Sequence, residues 1–158
     1  MLVTHSHFLT LPQYHFYFVK MKRYEQIPHT ADIAIKAYGK DLRELFSNTA
    51  YGMFDIIADL EGLEKKVKID LNLEAPSREE LLILWLDELL YNFYTKGIIF
   101  FEFDIADICD TRITAHAHGR HVGENRNRLK TEIKAATYHD LKIEESESGY
   151  SVEVIFDV

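Results

Sequence analysis

In Val67-Lys68-Ile69-Asp70-Leu71-Asn72-Leu73-Glu74-Ala75-Pro76-Ser77-Arg78-Glu79-Glu80-Leu81-Leu82-Ile83-Leu84-Trp85-Leu86-Asp87-Glu88-Leu89-Leu90 two hydrophobic periods meet. Val67, Ile69, Leu71 and Leu73 alternate strictly with Lys68, Asp70, Asn72 and Glu74, the period of two expected of a strand with one wet face. Pro76 closes that strand, and Ser77 with Glu80 three residues on is a capping-box signature that starts a helix. The helix is apolar around most of its circumference (Leu81, Leu82, Leu84, Trp85, Leu86, Leu89, Leu90, Phe93), so it belongs at the centre of the molecule. Lys96 and Gly97 supply its stop signal. A half-wet strand feeding a buried helix needs both a sheet layer and a helix layer, which is an α+β architecture.

On the N-terminal side, Ile33, Ile35 and Ala37 alternate with Ala34, Lys36 and Tyr38 as a second half-buried strand that Gly39 ends. Asp41, with Glu44 three residues on, caps a helix whose buried face carries Leu42, Leu45, Phe46, Thr49, Met53, Phe54 and Ile57, and Gly62 marks the exit loop. On the C-terminal side, strand-like segments follow at Ile98 to Phe103 and Arg112 to Ala117. A turn at Glu147 to Gly149 joins Leu141 to Glu144 with Tyr150 to Phe156, so the chain closes on a hairpin strand. The expected fold is a single α+β domain of mainly antiparallel sheet layers packed with two main helices.

A chain of 158 residues, 47% apolar and 13% aromatic, has the material for one packed core. Its net charge of −8 opposes indiscriminate nucleic-acid binding, so RNA contact is expected to be indirect or weak. Cys109 is the only cysteine, which excludes an intramolecular disulfide and a Cys-based structural zinc site and suits a reducing cytoplasm. The longest apolar runs, Leu81 to Leu86 and Gly97 to Phe101, fall well short of the roughly 18 residues that span a bilayer, so no membrane partner is expected. Residues 1–20 are rich in His and aromatic residues, and Lys20, Lys22 and Arg23 follow their apolar run instead of preceding it, unlike a secretory signal. We read 1–20 as an N-terminal extension, either from an early assigned start ahead of Met21 or an extra edge strand over Tyr14 to Val19, and 21–158 as the domain.

Candidate chemistry gathers at two places far apart in sequence. His29-Thr30-Ala31-Asp32 occupies a short break between strand-like segments, where Asp32 either caps a turn or joins a site. The chain also ends in Phe156-Asp157-Val158 directly after an apolar strand run. If that end is ordered, the Asp157 carboxylate and the α-carboxylate of Val158 lie close and repel, a repulsion that a cation relieves. With Asp32 as a third donor, the set is all oxygen and suits Ca²⁺, Mg²⁺ or Mn²⁺; if the end is solvated, the carboxylates are surface charge. Lys134, expected on the opposite strand face from Ile133 and Ala135, is either solvated or positioned to meet phosphate. His116 and His118 point the same way on a probable strand, with His121 close behind, as in a transition-metal site or on a wet sheet face. Gly119 to Lys130 reads as a flexible loop whose Arg120, Arg126, Arg128 and Lys130 suit a docking surface.

Taken together, Tyr24-Glu25-Gln26-Ile27-Pro28-His29-Thr30-Ala31-Asp32-Ile33, the helix Glu80 to Leu90, Ile133-Lys134-Ala135-Ala136-Thr137-Tyr138-His139 and the ending Phe156-Asp157-Val158 resemble the archease family. The resemblance covers about residues 21 to 158, and its pieces occur in the family's order. It implies a small α+β accessory protein, not itself an enzyme, that activates the RtcB-type RNA ligase of tRNA splicing by promoting its guanylylation and multiple turnover. It also implies a divalent metal held by Asp32, Asp157 and Val158, with Lys134 matching the family lysine tied to activity. An alternative for the family is a chaperone-like modulator of a tRNA methyltransferase or another tRNA-processing enzyme. The loop before Lys134 departs from the family, which often has an Asp and a His there, so no partner contact is carried onto it. From chemistry alone, a stand-alone metal-dependent phosphohydrolase and a pure interaction module also remain, separated by nucleotide turnover and by metal binding.

Overall fold

Asp41 and Ser77 begin the two helices as the sequence predicts. The Asp41 carboxylate accepts the Glu44 N–H at 2.9 Å at the start of α1, Leu42–Ile57. The Ser77 hydroxyl accepts the Glu80 N–H at 3.2 Å at the start of α2, Arg78–Lys96, and also donates to the Glu80 carboxylate at 3.0 Å. Gly97 ends α2 in the left-handed region, φ 64°, where a residue without Cβ is unstrained, and its N–H meets Phe93 O at 2.9 Å. This computed structural model describes residues 22–158, so the readings made for 1–20 lie outside the described residues.

Among the described residues eight strands pack with the helices: β1 Tyr24–Ile27, β2 Ile33–Gly39, β3 Val67–Glu74, β4 Ile98–Ile108, β5 Arg112–His121, β6 Ala135–Ala136, β7 Ile143–Ser146 and β8 Gly149–Asp157. They form two antiparallel sheets. One has the order β3-β5-β4. In the other, β2 lies between β1 and β8, and the far edge of β8 is shared by β6 and β7. Both helices pack against strands of both sheets, which is the layered α+β arrangement expected. No helix among the described residues is long and apolar enough to cross a membrane.

The core is one continuous cluster. Ile35, Ala37, Val152, Val154 and Phe156 enter it from paired positions of β2 and β8, because side chains two apart share a sheet face. Trp85 is fully buried and donates its indole N–H to Phe46 O at 3.1 Å, tying α2 to α1. Phe54 meets Phe93 and Phe100 edge-on, with ring centres 6.1 and 5.5 Å apart. Each such side chain stabilises the fold by about 1.5–3 kcal/mol through burial, and the edge-on geometry adds about 0.5–1.5 kcal/mol per pair.

Several boundaries differ from the sequence reading, among them that of β7, expected at Leu141 to Glu144 and found at Ile143–Ser146. β4 continues past Phe103 to Ile108 through irregularities at Phe100/Glu102 and Ile105/Asp107, which break the alternation on which the reading depends. Arg43 donates to Ile105 O and Ala106 O, each at 2.8 Å, and so holds the second irregularity. Gly119 lies within β5, not in a flexible loop, and there a Cβ would come within 2.2 Å of Ile99 O. Beyond β5 the segment folds as a 3₁₀ helix over Gly123–Arg128, and the Arg128 guanidinium donates to Asp59 O and Glu61 O. Finally, Lys134 precedes the short β6 and is not within a strand.

Candidate functional site

The register of the larger sheet brings the main chains of Asp32, Asp157, Val158 and Lys134 to one of its ends. Ile33 of β2 pairs with Phe156 of β8, so one further step of the same antiparallel register sets Asp32 opposite Asp157. On the other edge of β8, Ala135 pairs with Asp157, and one step further sets Lys134 opposite Val158. The Lys134 N–H donates to Asp157 O at 2.8 Å, which fixes this edge independently of the side chains. Neighbouring strands lie about 4.8 Å apart, so three strands bring these four residues to a single corner. In sequence the two halves of that corner are separated by most of the chain.

The local backbone explains why Asp32 is available there. Ala31 has φ 66°, an uncommon left-handed conformation for a residue with a Cβ, and it turns the chain between β1 and β2. Asp32 follows, partly exposed, with its carboxylate 3.9 Å from His29 Nδ1. That is a long contact between solvated groups, worth little as an ion pair. Among the described residues, the Asp157 carboxylate and the Lys134 ammonium engage no hydrogen-bond or ion-pair partner. Uncommitted oxygen atoms are what a hard cation requires.

Two unit charges 4 Å apart repel by about 1 kcal/mol in bulk water and about 4 kcal/mol at a partly shielded protein surface. A corner with two aspartates therefore favours positive charge. Among the described residues no three His, Cys, Asp or Glu side chains form a ready-made metal cage. A metal here would need further oxygen atoms, from the main chain at Val158, from waters or from a partner, to complete its shell.

The three histidine candidates of β5 are committed elsewhere. His116 Nδ1 lies 2.6 Å from Asp70 Oδ1 and His118 Nε2 lies 2.8 Å from Asp104 Oδ2, so each spends a ring nitrogen on a neighbouring strand. His121 Nδ1 lies 3.2 Å from Lys96 O. The first two contacts belong to the wet face of the smaller sheet, and the hydrogen bond from His116 holds the Asp70 carboxyl below its usual range. Asp55 takes the Tyr24 hydroxyl; burial first, and then this carboxylate, push that phenol upward. Sequence reading missed Tyr94, whose hydroxyl donates to Ile133 O at 2.5 Å immediately before Lys134.

Residues 24–158 match the model of the Archease protein family. A "Protein archease" of Methanosarcina mazei is 36% identical over 141 residues, 87% of this chain and 97% of that protein. One of Pyrococcus furiosus is 38% identical over 132 residues, 82% of this chain and 93% of that protein. A protein of Methanobacterium thermoautotrophicum solved in solution superposes with a TM-score of 0.67 at 32% identity, covering 87% of this chain and all of that one.

Proposed function

Because this chain belongs to the archease family, we propose that it activates an RtcB-type RNA ligase of tRNA splicing, promoting ligase guanylylation and multiple turnover through a divalent cation at Asp32, Asp157 and Val158. The observation that carries this reading is the register that lines up Asp32 and Asp157 across β2 and β8, with Lys134 bonded through its backbone to Asp157. Oxygen donors of this kind suit Ca²⁺, Mg²⁺ or Mn²⁺. Bound there, the cation supplies charge that neutralises phosphate oxygens during nucleotide loading. Lys134, exposed and without an ion-pair partner among the described residues, meets phosphate or an acidic partner surface as a point charge. The test mixes the protein with an RtcB-type ligase, GTP, divalent metal and excess RNA ends. Guanylylation and the number of turnovers should both rise, and no change in either removes the proposal.

The role given to Val158 has its own check. Residues appended after it convert a carboxylate into a neutral amide without touching any side chain. Metal affinity, read by calorimetry with Ca²⁺ or Mn²⁺, is expected to fall about tenfold or more, the scale of losing one charged donor. Unchanged affinity would restrict the metal to the two aspartates.

A further inference from the structure

An irregular segment leads from the bridge between Leu129 and Ala58 to the start of β6, and a groove runs along each side of it. One groove, about 320 Å³, is lined by the apolar Ile57, Phe93, Tyr94 and Leu129 together with Lys130, Thr131 and Glu132. The other, about 220 Å³, separates Lys130 and Thr131 from Tyr24, Ile33 and Ile56. The segment is pinned at both ends. The Lys130 N–H donates to Ile57 O and the Lys134 N–H to Asp157 O, both at 2.8 Å, while Tyr94 holds Ile133 O. Between those pins, the main-chain N–H and C=O groups of Thr131 and Glu132 form no hydrogen bond among the described residues. Leu129 and Tyr94 are 39% and 49% exposed, large for side chains with this much apolar surface.

We infer that this segment is a docking strip for an extended stretch of the protein partner, which pairs its main chain with Thr131 and Glu132 and seats a large apolar side chain against Phe93 and Leu129. The inference rests on the partner-activation reading above and deepens it. Three observations select a polypeptide. Donors and acceptors left unpaired among the described residues match a main chain, which offers both at regular spacing. The wall is apolar, which suits an aliphatic or aromatic side chain. The lining carries one positive and one negative side chain, Lys130 and Glu132, so it offers no net attraction to a phosphodiester strand, whose affinity comes from releasing counterions. The strip also ends at Lys134 beside Asp157, so a chain seated on it is led to the carboxylate corner.

The test uses the full chain and a purified RtcB-type ligase. Leu129→Asp should weaken ligase binding by about tenfold or more. Ca²⁺ affinity and melting temperature should stay at wild-type values, because Leu129 makes its bridge through the backbone. Tyr91→Ser, a change at a 60% exposed aromatic residue outside the groove, should leave binding unchanged. In the wild-type protein, ligase binding should slow hydrogen exchange at Thr131 and Glu132. That readout stands even if Leu129→Asp unfolds. Wild-type binding with no protection at these amides, or with Leu129→Asp equal to wild type, overturns the docking strip and leaves the activator reading intact. A wild-type protein that neither binds nor stimulates the ligase overturns both. If the variant changes only RNA-end binding or only self-association, the assignment of the strip to a stretch of the ligase is wrong.

Discussion

Asp157→Ala is expected to eliminate multiple-turnover stimulation of the ligase, leaving single-turnover joining at the level of the ligase alone, while circular dichroism and melting temperature stay close to wild type. The reason is a separation of roles within one residue. Asp157 holds the sheet through its backbone, by pairing with Ala135 and accepting the Lys134 N–H, whereas its exposed carboxylate has no structural partner among the described residues. Surface substitutions of this kind cost within about 0.5 kcal/mol of stability. Removing one of two or three anionic donors costs a hard cation far more, because the remaining oxygens neither neutralise it nor complete its shell. Asp32→Ala and Lys134→Ala should behave in the same way. Metal calorimetry then separates them, since Lys134→Ala keeps its metal and the aspartate variants lose it. Full stimulation by the triple variant would sink the proposal, and a pure interaction module would keep its ligase affinity after Asp157→Ala.

For stability, the largest single loss is expected at Trp85→Ala. Trp85 is fully buried, packs against Phe103 with ring centres 5.8 Å apart, and donates its indole N–H to Phe46 O. Truncation removes the transfer free energy of the ring, leaves a cavity between α1, α2 and β4, and removes the indole hydrogen bond to Phe46 O. Together these cost about 3–5 kcal/mol, which lowers the melting temperature by roughly 10 °C for a domain of this size. Denaturant titration should show an earlier midpoint with an unchanged slope. A midpoint within error of wild type would mean that the core has another centre.

The parts of this fold that were legible in sequence are those written in local periodicity. The alternation of Val67 to Glu74, the caps at Asp41 and Ser77 and the stop at Gly97 each depend on contacts a few residues apart, and each appears where expected. β4 beyond Phe103 and β5 beyond Ala117 were not legible, because an irregular ladder and a close approach of Gly119 to Ile99 are set by the neighbouring strand. The candidate corner was half legible. The residue types at Asp32 and Asp157 were plain, but that they face each other follows from the β2–β8 register, a long-range pairing. The docking strip left no mark in any one segment, since its walls come from the ends of α1 and α2 and from a stretch without periodicity.

β8 follows every other element in sequence, yet it lies in the interior of the larger sheet, with β2 on one edge and β6 and β7 on the other. During synthesis, at about 5–20 residues per second, β2 emerges from the ribosome seconds before the strand that covers its inner edge. Until then β2 presents an unpaired edge and the corner has only one of its aspartates. The acidic corner and the completed sheet therefore arise in the same late event, so a nascent chain able to hold the cation there is also one whose larger sheet has closed.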